Sequence, residues 1–185
     1  MLIKDEYIND IHFLVWKMEK SELSARDQEK QLGKKLIELL CKDDVIIDHL
    51  ISGKPFVKNK QCEISISHTK KYIAAAIHAN NPIGIDIEYK GERVLRIQER
   101  FMSKCEIETA RSTNQLTECD YSLLCWCAKE AMYKKAGLSG IDFREDLYVH
   151  DAENGNVKVL ICKDDINQDF LFHYENTDEF FIVVG

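Results

Sequence analysis

Polar and apolar positions change period several times along this chain, and each change marks a predicted element. His12 to Met18 alternates and predicts a short strand, while Ser21-Glu22-Leu23-Ser24 opens a charged helical stretch. Leu32 to Leu50 carries apolar residues at helical spacing, and Gly53-Lys54-Pro55 breaks the pattern. Cys62 to His68 alternates again, Thr69-Lys70-Lys71 makes a polar turn, and Tyr72 to Ala79 returns as an apolar strand. Together these predict a hairpin. After Asn80-Asn81-Pro82 a further strand runs from Ile83 to Glu88. Helices are expected at Arg93 to Phe101, Ser103 to Thr113 and Asp120 to Ala136, the last closed by Gly137. Val157 to Cys162, Phe170 to Tyr174 and Glu179 to Val184 read as three closing strands.

The two halves echo each other. Ile66-Ser67-His68, a turn and Tyr72-Ile73-Ala74 are matched by Phe172-His173-Tyr174, a turn and Phe180-Phe181-Ile182. An internal duplication of helix plus antiparallel hairpin predicts an α+β protein of two similar lobes, residues 1–82 and 83–185, related by a pseudo-twofold. The lobes would meet near Pro82 to Ile85 and act as one unit, with a ligand site at the junction.

Composition narrows the partners. With 185 residues and 45% hydrophobic content the chain is long enough for a packed core. A net charge of -7 argues against general nucleic-acid binding, which needs an excess of Lys and Arg. The opening Met1-Leu2-Ile3-Lys4-Asp5-Glu6 does not resemble a signal peptide and no apolar run approaches a membrane span, so a cytoplasmic protein is expected. Seven cysteines without regular spacing fit reduced thiols, and the six histidines do not join them at zinc-ligand spacing.

The chemistry begins in Ile83-Gly84-Ile85-Asp86-Ile87-Glu88. Three isoleucines fill one face of this strand, so Gly84, Asp86 and Glu88 share the other, the two acids roughly 6.5 Å apart at their backbones. Left alone in an apolar sheet they would repel each other and lose hydration, so basic side chains or a metal must meet them. Glu130 adds a third acid from a helix and shares a face with Lys134. That pair alone reads more readily as an ordinary i,i+4 salt bridge on a solvated helix. A hard cation such as Mg2+ would give all three acids a purpose, because it takes carboxylate oxygens and commonly binds phosphates too. Lys134 and Lys129 would then hold phosphate charge, and a hairpin turn would expose Ser67 and His68.

At these residues the chain resembles the Sfp-like group of the 4'-phosphopantetheinyl transferases. Ile64-Ser65-Ile66-Ser67-His68-Thr69, the Ile83 to Glu88 strand and Trp126 to Lys134 stand in family order, flanked by Gly53-Lys54-Pro55 and by Arg100-Phe101-Met102-Ser103-Lys104. The match covers roughly residues 53 to 140. The resemblance implies a magnesium enzyme that moves phosphopantetheine from coenzyme A to a serine of an acyl or peptidyl carrier protein and releases 3',5'-ADP. It assigns Asp86, Glu88 and Glu130 to the metal. Lys134 and His68 go to the pyrophosphate, Ser67 to the neighbourhood of the 3'-phosphate, and Lys129 to an assisting role. Glu130 or a metal-bound water would take the serine proton, and the sequence leaves both open. Thr69 and Ser65 replace the family's usual Ser and Asn. The region before Gly53 is shorter than in typical members, so its phosphate-clasping basic residues do not carry over one by one. Arg26 and Lys30 lie in that general region, and Lys54 is the nucleotide-side residue named here.

Carrier proteins of this kind are acidic. Arg93, Arg96, Arg100 and Lys104 are spaced 3, 4 and 4, which on a helix would give a basic docking stripe, although Glu92, Glu99 and Glu106 are interspersed. A self-sufficient monomer is expected. Two other readings stand beside transfer: a catalytically idle carrier-binding protein, and a metal-dependent nucleotide phosphohydrolase.

Overall fold

A computed structural model describes residues 1–185. The first sheet holds β1 (Leu2–Ile8), β2 (Ile11–Lys17), β5 (Glu63–Thr69) and β6 (Tyr72–His78) in the spatial order β1-β2-β6-β5, each pair antiparallel. Helix α1 (Ala25–Cys41) and a two-stranded ribbon of β3 (Ile47–His49) and β4 (Pro55–Val57) lie between β2 and β5 in sequence. The second sheet holds β7 (Ile85–Tyr89), β8 (Leu147–Glu153), β9 (Asn156–Lys163), β10 (Ile166–Asn176) and β11 (Phe180–Val184). Its spatial order is β7-β11-β10-β9-β8, again antiparallel. Helices α2 (Lys104–Ser112) and α3 (Glu118–Ala136) are inserted between β7 and β8.

Alternation along the strands builds three cores. Phe13, Val15, Tyr72, Ala74, Ile85, Ile87, Phe180 and Ile182 point between the two sheets. Leu14, Ile73 and Ala75, one residue out of phase, pack instead with Leu36, Ile37 and Leu40 of α1. On the far side, Phe181 and Val183 of β11 meet Leu124, Ala128 and Met132 of α3. The layers therefore run α1, first sheet, second sheet, α3. The sheets also touch along their edge strands, where Ser65 and Ser67 of β5 accept hydrogen bonds from the backbone N–H of Ile85 (3.1 Å) and Ile87 (3.3 Å). Serine hydroxyls thus stand in for a backbone ladder and leave the seam open enough to carry side-chain chemistry.

Several elements differ from their predicted form. The apolar spacing from Leu32 to Leu50 does not continue as helix. Lys42 takes a left-handed conformation (φ 55°) that stops α1, and Ile47 continues in extended β3. The helix expected over Arg93 to Phe101 is two short 3-10 turns, Glu92–Arg96 and Gln98–Arg100, which bury Val94 and Gln98. Gln98 Oε1 accepts from Ser122 Oγ at 3.1 Å, which holds this segment against α3. Strands β1 and β8 were not foreseen: β1 is an outer strand with most positions exposed, and β8 is broken by a register shift between His150 and Glu153. The ends of α2 and α3 are set by Ser103, which forms a capping box with Glu106, by Thr117, and by Gly137 at φ 62°.

Candidate active site

Close approach of α3 to β7 creates the site. A Cβ at Gly84 would overlap the carbonyl oxygen of Ala131, so only glycine lets the helix lie this near the strand. One residue on, Ile85 turns to the inter-sheet core, and Asp86 turns to α3. It is 4% exposed. Asp86 Oδ1 accepts from Ser67 Oγ and from Lys134 Nζ, both at 2.7 Å, and Lys134 also donates to the Ile85 carbonyl at 3.0 Å. Asp86 Oδ2 is buried with no hydrogen-bond partner. An orphaned carboxylate oxygen of this kind is costly unless another group reaches it.

Glu88 and Glu130 border the same carboxylate. Burial, followed by the charge of Asp86, pushes Glu88 up from the ordinary glutamate range, with Thr69 and Trp126 partly offsetting it. Thr69 Oγ1 donates to Glu88 Oε2 at 3.1 Å. Glu130 is pushed up to about 7 by burial, then by Asp86 against the opposing charge of Lys134, with Glu88 adding to the rise. The three expected acids thus feel one another where α3 meets β7, with Lys134 the nearest cation. As placed, no three acid, histidine or cysteine side chains converge at metal-ligand spacing, because Asp86 Oδ1 is turned to Ser67 and Lys134. The donor set nevertheless suits a hard divalent cation. It offers carboxylate oxygens only, including one buried oxygen without a partner and the half-buried Glu130.

The remaining expected residues divide. His68 is exposed at the end of β5, its Nδ1 3.3 Å from Glu29 Oε1 of α1. It opens onto a cleft of about 1020 Å3 whose α1 wall carries Arg26, Lys30 and Lys34. Sequence spacing alone did not join these residues to His68, because the contact depends on how α1 crosses the sheet. Lys54 pairs with Glu63 at 2.8 Å and lines a smaller pocket of about 230 Å3 with Ser65, Tyr133 and Lys134, so it does lie beside the site. Ser67 is buried and donates its one proton to Asp86, which makes it an orienting group for that acid and leaves no donor for a phosphate.

Lys129 does not meet its expected assisting role. It is wholly buried, and its ammonium donates to the carbonyls of Phe101 (2.9 Å) and Phe143 (2.7 Å) and to Glu106 Oε2 (2.8 Å). All three donors are used inside the protein. Burial pushes its pKa down while the Glu106 carboxylate opposes the shift. Arg93, Arg96, Arg100 and Lys104 are exposed and form no ion pair, but they sit on the 3-10 turns and the start of α2 and do not make one helical stripe. Arg93 lies on the rim of a pocket shared with Glu88, His68 and Thr69. Cys127, one turn before Ala131, is wholly buried beside Asp86, and desolvation holds its thiol well above the usual range.

Comparison with known proteins accords with this arrangement. Residues 82–184, which hold β7, α3 and the second sheet, match the family model of the 4'-phosphopantetheinyl transferase superfamily. A 4'-phosphopantetheinyl transferase of Bacillus subtilis is 28% identical over 71% of this chain and 58% of its own length. The 4'-phosphopantetheinyl transferase Sfp of Bacillus subtilis (strain 168) is 31% identical over 53% of this chain and 44% of its own. The 4'-phosphopantetheinyl transferase gsp of Aneurinibacillus migulanus is 34% identical over 46% and 35%. The alignments therefore span about half the length of these relatives. With its acid strand and acid-bearing helix inside the matched segment, the chain belongs to the 4'-phosphopantetheinyl transferase superfamily.

Proposed function

We propose that this chain transfers the 4'-phosphopantetheine group of coenzyme A to a serine hydroxyl of an apo acyl or peptidyl carrier protein. One observation carries the reading. Asp86 is buried with one oxygen on Lys134 and Ser67 and the other without a partner, beside Glu88 and Glu130. In the reaction the serine oxygen forms a bond to the β-phosphorus, the bond from that phosphorus to the bridging oxygen breaks, and 3',5'-ADP leaves with that oxygen. The serine proton passes to a base in the acid cluster, with Glu130 the candidate acceptor. Asp86, Glu88 and Glu130 would hold Mg2+, which when bound supplies neutralisation of the charge growing on the phosphates. Lys134 contributes a fixed positive charge against the pyrophosphate, and His68 meets the phosphate end from the cleft side.

The two halves as lobes 1–82 and 83–185 belong to the same reading. Support comes from strand order. β2, α1 and the β5–β6 hairpin give the spatial order β2-β6-β5, and β7, α3 and the β10–β11 hairpin give β7-β11-β10. The outer strands differ, so the pseudo-twofold would relate only these central units. We further assign Arg93, Arg96, Arg100 and Lys104 to an acidic carrier, and we expect a cytoplasmic monomer. No helix is long and apolar enough to cross a membrane.

Intact-protein mass spectrometry of an apo carrier, incubated with the chain, coenzyme A and Mg2+, tests the proposal. A carrier gain equal to phosphopantetheine is expected. Binding without a gain would favour an idle carrier-binding protein, and nucleotide turnover without any carrier would favour a phosphohydrolase.

A further inference from the structure

One acid stands where an anion-binding site should have none. In the cleft between α1 and β5, Glu29 Oε1 lies 3.3 Å from His68 Nδ1, on the wall that also carries Arg26, Lys30 and Lys34. Glu29 is only a quarter exposed and borders both this cleft and the adjoining pocket with Glu88 and Arg93. Neither Arg26 nor Lys30 forms an ion pair, and Lys34 turns to Glu38 at 3.0 Å, so the partner of Glu29 in the cleft is the imidazole. His68 itself is 52% exposed and faces no other acid at this distance.

We propose that Glu29 is an internal counter-anion, seated against His68 in the free protein, an ion pair when the imidazole is protonated, and displaced when a phosphate group of the ligand takes that imidazole. The inference rests on the assignment of coenzyme A to this cleft and concerns how tightly the cleft holds it. The imidazole is half exposed and the contact is 3.3 Å, so the pair is cheap to break. Once a phosphate arrives, a carboxylate left at contact distance repels it, so Glu29 must swing into solvent. Its long side chain on an exposed helix allows this. Glu29 therefore weakens ligand binding and disfavours anions too small or too weakly charged to displace it. Ligands with more phosphate charge gain most.

The test is calorimetric titration of coenzyme A and of 3'-dephospho-coenzyme A into the wild-type chain, Glu29→Gln, Glu29→Ala, His68→Ala and the Glu29→Gln/His68→Ala double variant. Removing the carboxylate is expected to tighten coenzyme A by about 3- to 10-fold, as for loss of one nearby like charge at a half-exposed site. The gain should shrink in the His68→Ala background. Thermal melts of both Glu29 variants check that they fold. Unchanged or weaker coenzyme A binding in folded Glu29→Gln and Glu29→Ala overturns the counter-anion and leaves the transferase reading standing. A gain that is the same with and without His68 also overturns it. If neither the wild type nor any variant binds coenzyme A, the ligand assignment and the counter-anion fall together.

Discussion

Asp86 is the residue on which the proposed chemistry turns. Its carboxylate is anchored by two donors on one oxygen and by none on the other, a geometry that a purely structural salt bridge does not require. Asp86→Ala and Glu130→Ala are each expected to lower transfer by on the order of 100-fold or more with an unchanged far-UV circular dichroism spectrum. Glu88→Ala should give a smaller loss, since water can fill one coordination position. Full activity in either of the first two variants removes them from the metal assignment. Glu130 also predicts a stability signature. Its pKa in the metal-free fold, about 7, lies above the ordinary glutamate value of 4.5, so between those values the folded state binds the proton more tightly and stability falls as pH rises. Glu130→Gln should therefore raise the melting temperature of the metal-free protein at pH 8, by roughly 2 to 5 °C. The difference should vanish at pH 4. An equal gain at both pH values would show that the charge is not responsible. Of the single residues, Asp86 and Glu88 stand out in the alternation of β7, whereas Glu130 and Lys134, whose i,i+4 spacing alone reads as a salt bridge, are joined to them only by the family resemblance. The role of Lys129 was not legible, because its acceptors at residues 101, 106 and 143 are remote in sequence and only the fold brings them to one ammonium.

The contact between β7 and α3 places these acids, and Gly84 sets its distance. Gly84→Ala drives a methyl into the Ala131 carbonyl, which is backbone and cannot rotate aside. The expected cost is about 1 to 3 kcal/mol by denaturant titration, with a loss of transfer beyond what reduced stability explains. A variant of native stability and activity would mean that the helix can stand off the strand without harm to the site. The matching elements were legible where one rule dominated: alternation in β5 and β7, the apolar run of β6, and the helix closed by Gly137. The helix expected over Arg93 to Phe101 does not form; arginines at spacing 3 and 4 only imitate a helical face. The chain there instead forms 3-10 turns that sink Val94 and Gln98 against α3. β3 and β4 were missed because three-residue strands are too short for a period to register.

At the scale of the whole molecule, the site belongs to a seam. The hydroxyls of β5 bind the backbone of β7, the sheets share a core of Ile85, Ile87 and Tyr72, and Tyr72 reaches across to Glu179 at 2.5 Å. Phosphate-binding candidates from the first sheet thereby face acids from the second. The two-sheet α+β character was legible from the repeated hairpins. The face-to-face packing depended on contacts between distant strands that no local pattern encodes. On a chain of net charge -7, the unpaired Arg93, Arg96, Arg100 and Lys104 are the basic surface proposed for an acidic carrier. Arg96→Glu/Arg100→Glu should raise the apparent carrier KM several-fold and flatten its salt dependence while leaving coenzyme A affinity unchanged. Unaltered kinetics would remove this surface from the account. The most direct test is the mass of an apo carrier after incubation with coenzyme A and Mg2+, alongside reactions lacking the metal or using Asp86→Ala. The account predicts a shift equal to one phosphopantetheine in the complete wild-type reaction and none in the other two. A carrier that keeps its apo mass throughout, across several carriers that bind the chain, would contradict it.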